Sequence, residues 1–422
     1  MSADNMILGE NAVFSTDCSQ TGLNNNVLVC ASSGGGKTMS VMEPRLLNTF
    51  HSSLIVTVTK RRLADKYKPV FKKRGYQVEE LNFVNPAKSS VAYDPMQYLT
   101  SYQDITFLAE SIVKANPRKE RSTADPYWDD AAVSLLSAEI AYVLMTQDKP
   151  TFADVLDLHD SLKITDGSTG IETNLDKAFQ QLEEKDPTCF AVTCWNSFAM
   201  LPIRTARCVY GTLNTVVDTL FSPELRRMMQ KERNVDFESI ANHKTILFIS
   251  TSPVNPALNF FINIFYGQMF KQLFEYAESL PDGKLPIPVS VLCDDFATGG
   301  RILNFCEYIA IFREKQISVT MLIQSESQLE SMYGANDTIT IINNCDTYVY
   351  LGGMDLRTGR NISERLNAPL EDILYMPVGK EIIFRRGQKP ILTKRFDILK
   401  DAEYQAITAQ YEKSILEKKE GR

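Results

Sequence analysis

The amino-acid sequence predicts an α/β fold, with a mostly parallel central sheet flanked by helices and a helical segment inserted in it. Three observations support this prediction. Short apolar runs rich in branched residues recur along the chain, as expected for buried strands. One run leads through a glycine-rich loop into a helical stretch, at Val27 to Glu43. A basic helical stretch separates the runs Leu54 to Thr59 and Gln77 to Phe83, and a helix between two strands indicates a parallel sheet.

Composition and charge exclude several classes of protein. The 422 residues suffice for two or three domains, and a net charge of −7 gives no overall basic field for nucleic acid. Any binding of nucleic acid must therefore come from local patches or an assembled ring. No apolar run approaches the length needed to span a bilayer, and the polar stretch Met1 to Asn26 lacks the apolar core of a signal peptide. We expect a cytoplasmic protein, peripheral to the membrane through partners.

Cysteine and histidine offer little for metal or nucleophilic chemistry. None of the eight cysteines forms a C-x-x-C pair, which fits a reduced protein with buried thiols better than disulfides or zinc. His51, His159 and His243 are far apart in the sequence, and we interpret all three as structural or surface residues.

The central motif is a phosphate-binding loop. Backbone N–H groups of a glycine-rich loop can wrap a triphosphate, the lysine reaches its β- and γ-phosphates, and the following hydroxyl ligates Mg²⁺. Ala31 stands where the motif usually has glycine, and a plain glycine-rich turn is the alternative interpretation. The predicted nucleotide-binding residues are Ser33, Gly34, Gly35, Gly36, Lys37 and Thr38.

Two further strand ends carry polar residues. The run Val289 to Phe296 contains Asp294 and Asp295; in a phosphate-loop ATPase the first acid holds Mg²⁺ and the second polarises the attacking water. We therefore predict that Thr38 and Asp294 hold the metal and that Asp295 is catalytic, although glutamate is usual there and aspartate is shorter by one methylene. An acidic pair that caps a strand is also common without function.

Two other candidate catalytic residues lie in and before the next strand. Gln324 ends the run Ser318 to Ser325, where an amide can sense the γ-phosphate or orient water. Arg313 precedes that run on a helix, from which a guanidinium could reach the γ-phosphate of a neighbouring subunit. From residue type and position alone, Gln324 could equally be a loop-facing glutamine, and Arg313 is better interpreted as a solvated surface arginine.

Composition changes near Pro95, and strand signals nearly vanish until about Asn234. We therefore predict an α/β domain formed by residues 1–97 and 234–422, with an all-α domain at 98–233. A basic loop precedes the long helix Tyr127 to Thr146; it could contact DNA phosphates or be a solvated loop. Its basic residues are Lys114, Arg118, Lys119 and Arg121.

Four stretches together resemble a known family. They are Gly-Gly-Gly-Lys-Thr followed by Met-Glu-Pro-Arg-Leu-Leu, Asp-Asp-Phe-Ala-Thr-Gly-Gly at 294–300, Ile-Gln-Ser-Glu-Ser-Gln-Leu-Glu-Ser-Met-Tyr-Gly at 323–334, and Asn-Asn-Cys-Asp-Thr-Tyr-Val-Tyr-Leu-Gly-Gly at 343–353. The chain thereby resembles the type IV secretion coupling proteins of bacterial conjugation, the TraG/TraD class within the HerA–FtsK group of ring ATPases. The helical insertion, with Tyr127-Trp128-Asp129-Asp130 at its entry, is similar to that family's all-α domain.

The resemblance implies a RecA-like P-loop ATPase that uses ATP and Mg²⁺ and is active as a homo-hexamer, although the isolated chain could be a monomer. It implies as partners relaxase or relaxosome proteins, single-stranded or double-stranded DNA, and secretion-channel ATPases or a membrane anchor protein. By the same resemblance, Lys37, Thr38, Asp294, Asp295 and Gln324 match the family's site residues, and Arg313 matches the arginine supplied to a neighbouring subunit.

The chain departs from the family pattern in further places. The sequence shows no membrane segment of the kind that most members carry at the N-terminus: either the chain was trimmed, or this is a soluble member that reaches the membrane through a partner. Thr-Lys-Arg-Arg at 59–62 stands where members often have an acidic-Pro-Lys-Gly run. Three functions follow as hypotheses: a DNA-translocating motor, a nucleotide-binding docking receptor with little turnover, and a chromosome-packaging ATPase. The Gln-Ser-x-x-Gln-Leu run argues against the third.

Overall fold

A nine-stranded sheet forms the centre of the structure, a computed structural model that describes residues 4–114, 127–167, 171–252, 255–296 and 301–420. Its strand order is β13-β12-β11-β3-β10-β9-β4-β8-β5. Every neighbouring pair from β11 to β5 is parallel, whereas β12 and β13 pair antiparallel at one edge. The predicted fold class, a mostly parallel sheet flanked by helices, is confirmed.

The strands are short, as is usual for a sheet of this size. They are β1 Asn5–Gly9, β2 Ala12–Ser15, β3 Val27–Cys30, β4 Ser53–Val58, β5 Gln77–Asn82, β6 Ile164–Asp166, β7 Ile171–Thr173, β8 Thr245–Ser250, β9 Val289–Cys293, β10 Ile317–Ile323, β11 Thr347–Tyr350, β12 Lys380–Arg385 and β13 Ile391–Lys394.

The helices range from one turn to 24 residues. They are α1 Cys18–Thr21, α2 Glu43–Leu47, α3 Arg61–Lys73, α4 Tyr102–Lys114, α5 Tyr127–Thr146, α6 Phe152–Ser161, α7 Asp176–Lys185, α8 Phe190–Ala199, α9 Ile203–Leu220, α10 Pro223–Met229, α11 Phe237–Asn242, α12 Pro256–Ser279, α13 Phe305–Lys315, α14 Glu326–Tyr333, α15 Ala335–Asn343, α16 Leu356–Leu366, α17 Leu370–Leu374 and α18 Ala402–Glu420. Among the described residues, no helix is both long and apolar enough to cross a membrane.

Every strand predicted from Val27 onward is present, with ends shifted by at most three residues. The sequence did not predict the hairpin β1–β2, the edge strand β13, or the ribbon β6–β7 inside the helical segment. These strands have three to five residues, which gives too few alternations for a clear pattern. The strands β4 and β5 are parallel but not adjacent, because β8 lies between them.

Alternating residues of the strands pack on opposite faces of the sheet. On one face, Val27 and Val29 of β3 join a core with α2, α3, α18 and the β1–β2 hairpin. On the other face, Leu28 and Cys30 join a larger core that contains α12, α13 and the helices of the inserted segment. The insertion therefore shares one continuous hydrophobic core with the sheet, although it adds no strand to it.

A buried ion pair lies inside the helical segment. Glu139 of α5 and His159 of α6 are 0% and 1% exposed, and His159 Nδ1 lies 2.9 Å from Glu139 Oε1. Burial opposes protonation of the imidazole, but the Glu139 carboxylate outweighs it, so that the pKa of His159 is raised. Tyr210 of α9 stacks on the imidazole ring at 4.7 Å. The pair therefore connects three helices of the insertion.

This pair predicts a fall in stability on the alkaline side. The raised pKa of His159 stabilises the folded state fully below the unfolded pKa of about 6.5. This stability is lost as the pH rises through the folded pKa, because Glu139 is then left as a buried unpaired charge. We expect the midpoint of thermal unfolding to fall from pH 6.5 upward. Replacing the pair by Glu139→Leu with His159→Phe should flatten that dependence.

The control and the single variant sharpen this test. His243→Gln, at an exposed histidine, should keep the pH dependence of the unmodified protein. His159→Phe alone should cost about 3–5 kcal/mol, because it leaves the carboxylate of Glu139 buried without its partner. Unfolding curves by circular dichroism at pH 6, 7, 8 and 9 give the answer, and an equally steep pH dependence in the double variant would refute the assignment.

Candidate active site

The predicted phosphate-binding loop lies at the carboxyl edge of the sheet, between β3 and the helix that follows it. That helix begins as a π turn at Thr38–Met42 and continues as α2. Gly34 and Gly36 have φ angles of +73° and +81°, which glycine adopts without strain. A Cβ atom at Gly35 would lie 2.7 Å from the carbonyl oxygen of Ser32. All three glycines are thus required by the backbone path, and Ser33 and Gly34 form its exposed tip.

Alanine at position 31 fits this loop. Its φ angle is not positive, so that glycine is not needed there. Its backbone N–H donates to the carbonyl oxygen of Ile323 on β10 at 3.1 Å, and its own carbonyl oxygen accepts from Lys37 Nζ at 2.7 Å. The departure from the usual motif therefore leaves the loop intact.

Lys37 is the buried cation of the loop. It is 8% exposed, and burial lowers the pKa of its ammonium group, against the opposing effect of the carboxylates of Asp295 and Asp294. These acids follow β9, which is separated from β3 only by β10. The parallel sheet thus brings the ammonium group and the acidic pair to the same edge, as predicted.

The two acids differ in their surroundings. Burial and the neighbouring Asp295 carboxylate raise the pKa of Asp294, while a hydrogen bond from Thr59 Oγ1 to Asp294 Oδ2, at 3.1 Å, acts in the opposite direction. Asp295 has a φ angle of +51°, in the left-handed region that aspartate tolerates better than most residues. Thr59 was not predicted as a site residue, although it directly follows β4 at the same edge.

The other predicted residues separate into two places. Gln324 directly follows β10 and is exposed. It lies beside the loop, because the preceding residue, Ile323, pairs with Cys30 at the end of β3. Arg313 lies in the last turn of α13, which leads into the amino end of β10, at the opposite edge of the sheet. Its Nη1 donates to the carbonyl oxygen of Gly22 at 2.8 Å. Within one chain, Arg313 therefore does not reach the loop.

A different arginine, which no sequence motif marks, contacts the loop instead. Arg395 follows β13, and its Nη1 donates to the carbonyl oxygen of Gly35 at 2.7 Å. Its Nη2 donates to the carbonyl oxygen of Leu351 and its Nε to that of Lys380. Burial lowers the pKa of this guanidinium. No motif marks the residue, because 360 positions separate it from Gly35.

A buried acid, Glu381, is the group that most affects Arg395, and it leaves the positive charge of Arg395 largely uncompensated. Glu381 of β12 is 1% exposed, and neither carboxylate oxygen has a hydrogen-bond partner among the described residues. Burial raises the pKa of Glu381 to about 8, although Arg395 opposes this. Glu381 is therefore mainly protonated at pH 7, and the charge of Arg395 remains available at the loop.

The predicted basic DNA contacts lie mostly beyond the described part of the chain. Three of the four predicted basic DNA contacts, Arg118, Lys119 and Arg121, lie outside the described residues; Lys114 ends α4 and pairs with Glu110 at 3.4 Å.

Within the described ranges, no group of three or more His, Cys, Asp or Glu side chains could hold a metal by itself. One carboxylate and one hydroxyl suit Mg²⁺, which takes its remaining ligands from phosphates and water.

Comparisons with known proteins bear on the family and the fold of the chain. The chain matches the sequence profile described as Type IV secretory system Conjugative DNA transfer over residues 2–369. No curated protein sequence matches it. Among solved structures it resembles the bacterial conjugative coupling protein TrwBdeltaN70 in complex with sulphate, with a TM-score of 0.67, 17% identity, and coverage of 88% of this chain and 85% of that chain.

Two other similar structures extend the comparison. The plasmid coupling protein TrwB in complex with ADP and Mg²⁺ has a TM-score of 0.67, 16% identity, and coverage of 88% of this chain and 84% of that chain. VirB4 of Thermoanaerobacter pseudethanolicus has a TM-score of 0.52, 13% identity, and coverage of 94% and 97%. At these identities the structures show the fold, a RecA-like α/β P-loop ATPase fold, and the profile match shows the family. The chain belongs to the type IV secretory system conjugative DNA transfer family.

Proposed function

We propose that this protein is an ATP-dependent coupling protein that recruits a relaxase–DNA substrate and drives it to a type IV secretion channel. One observation carries the enzymatic part: the buried ammonium group of Lys37 lies in a glycine loop that faces the acids Asp294 and Asp295. Such a constellation fits the binding of a nucleoside triphosphate and the displacement of its γ-phosphate by water. Family membership supports the role in conjugation.

Each residue has a proposed role. The backbone of residues 33–36 and the ammonium group of Lys37 bind the phosphates, and the positive end of the following helix adds to this attraction. Thr38 and Asp294 hold Mg²⁺, as is supported by the complex of TrwB with ADP and Mg²⁺. When bound, the metal neutralises charge on the phosphates. Asp295 polarises the attacking water, and Gln324 orients it.

Arg395 positions the loop. Its guanidinium draws the carbonyl oxygens of Gly35 and Leu351 outward. These hydrogen bonds hold the loop in place, and the fixed positive charge of the guanidinium adds to the field of Lys37. We propose that it sets nucleotide affinity from within the same chain.

The assembly and the helical segment are also proposals. Arg313 lies far from the loop of its own chain, which fits a trans-acting arginine in a homo-hexamer better than a cis-acting one. Residues 98–233 would form the all-α domain that contacts substrate proteins and DNA, inserted in a motor domain made of residues 1–97 and 234–422. Secretion-channel ATPases or a membrane anchor protein would place the ring at the inner face of the membrane.

A docking receptor with slow turnover is the second candidate function. The observation in its favour is Asp295, whose carboxylate is one methylene shorter than that of the usual glutamate. A receptor of this kind would bind nucleotide to hold its ring and recruit the relaxase, with little hydrolysis.

ATP turnover of the purified protein, with and without single-stranded DNA, tests the proposal. We expect turnover to rise with DNA, and Lys37→Ala to lower it by about 10²-fold or more, because a preorganised charge at the transferred phosphate is lost. Lys389→Ala, at an exposed lysine of the β12–β13 turn, should change nothing. Tight nucleotide binding that depends on Lys37 without any turnover would favour the receptor, and the absence of binding would refute both functions.

Substitution of Asp295 separates motor from receptor. We expect Asp295→Asn to reduce turnover by about 10²-fold or more, since a general base is removed. The left-handed backbone at this position suits aspartate. We therefore expect the longer side chain to bring no gain, so that Asp295→Glu changes turnover by less than about threefold. A rise of about tenfold or more in Asp295→Glu would instead identify a naturally slow receptor.

Substitution of Arg395 tests its positioning role. Arg395→Lys keeps the charge but loses the rigid planar fork whose separate nitrogens reach the carbonyl oxygens of Gly35 and Leu351. We therefore expect the Kd for a fluorescent ADP analogue to rise by about tenfold or more. The kcat at saturating ATP should change much less than the Kd. Arg227→Lys, at an exposed arginine of α10, is the matched control. An unchanged Kd in Arg395→Lys would exclude this role.

A further inference from the structure

A small cavity lies at the carboxyl edge of the sheet, between helix α12 and the two acids that follow β9. Its volume is about 40 Å³, and a water molecule needs about 10–15 Å³ of such space. The cavity therefore admits two or three water molecules but no nucleotide. Apart from the two acids, its polar lining consists of Thr57, Thr59, Thr251, Asn259, Asn263 and Tyr266.

Solvent reaches the wall of this cavity on both sides. Thr59, Asn259 and Asn263 are each partly exposed, and so are the acids Asp294 and Asp295. A water molecule that enters the cavity can therefore contact both the carboxylates and the amides.

One face of α12 forms the wall opposite the acids. Asn259, Asn263 and Tyr266 are spaced by four and three residues, which places them on the same side of the helix. The hydroxyl of Tyr266 shares a hydrogen bond with that of Thr57 on β4, and this contact fixes the face against the sheet. Since α12 follows the carboxyl end of β8, Asn259 lies about 10 Å closer to the carboxyl edge than Tyr266 does. Thr59 lies about 7 Å beyond Thr57 in the same direction, so that Asn259 is level with the strand ends.

The hydroxyls of the cavity are engaged, whereas one amide donor is not. Thr59 Oγ1 donates to Asp294 Oδ2, and Thr57 is bonded to Tyr266. Thr251 Oγ1 donates to Asn259 Oδ1 at 3.3 Å, which orients that amide. In the described part of the chain, the Nδ2 group of Asn259 makes no hydrogen bond. The cavity therefore holds a neutral N–H donor beside two carboxylate acceptors.

We propose that Asn259 holds the attacking water of ATP hydrolysis, an inference that rests on the proposed function. Its Nδ2 group donates to the water oxygen, and the carboxylate of Asp295 accepts a proton from the same water. The oxygen forms a bond to the γ-phosphorus while the bond from that phosphorus to the β–γ bridging oxygen breaks, and ADP leaves with the electron pair. Because β9 lies between β10 and β4, Gln324 and Asn259 flank the acids from opposite sides.

ATP turnover and the binding of a fluorescent ADP analogue, both measured on the full chain, test this role. Asn259→Leu keeps the size of the side chain but removes the donor. We expect its kcat to fall by about tenfold or more while the Kd for the ADP analogue changes by less than about twofold. Asn259→Gln keeps an amide and should retain more turnover than Asn259→Leu, the reverse of what a packing role would give. Asn336→Leu, at an exposed asparagine of α15, is the matched control and should change neither quantity.

Thr251→Val is the second test, which applies even if Asn259→Leu fails to fold. It removes only the hydroxyl that orients the amide, and we expect kcat to fall by about threefold or more. Added to Asn259→Leu, it should cause no further loss, because the two residues act as one unit. An unmodified protein without turnover would overturn the motor function and this role with it. Turnover of the unmodified protein that persists in Asn259→Leu or in Thr251→Val, or that falls further in Asn259→Gln than in Asn259→Leu, would overturn the role of Asn259 alone.

Discussion

The burial of one ammonium group is the constraint on which the site depends. Lys37 is buried at the carboxyl edge of the sheet, and a buried charge is stable only where fixed dipoles or opposite charges compensate it. The carbonyl oxygen of Ala31 supplies one partner, and the acids after β9 supply the field. Both depend on the parallel arrangement of β3, β10 and β9, because only parallel strands bring their carboxyl ends together at one edge.

The sequence predicted those parts of the site that follow from local pattern. A strand, a glycine loop and a lysine are contiguous, and acids at the end of an apolar run need no long-range information to be found. Arg395 was missed since its role arises only when β13 pairs with β12 and places the guanidinium on Gly35. Whether alanine fits the loop at position 31 could not be predicted either, because the sequence does not reveal that its φ angle is not positive.

Similar reasons explain which elements of the fold were found. Runs such as Ser53–Val58, buried at every position, have a strong apolar signal and were recognised. The strands Asn5–Gly9 and Ala12–Ser15 have only five and four residues and are partly exposed, and composition does not reveal that they pair with each other rather than with the main sheet. The insertion of β8 between β4 and β5 is a matter of topology, and pairing order is set by packing rather than by local propensity.

The common core of the sheet and the helical insertion has a mechanical consequence. Buried side chains of α5, α8 and α9 belong to the same cluster as Leu28, Ile55 and Leu247 of the sheet, with α12 between them. In the described part of the chain, apolar side chains of the two parts pack directly on one another, so that displacement of one against the other would expose apolar surface. We therefore expect the insertion to move together with the sheet rather than about a hinge. A displacement at the carboxyl edge of the sheet would therefore also shift the far end of the helices, because the same packed side chains connect them.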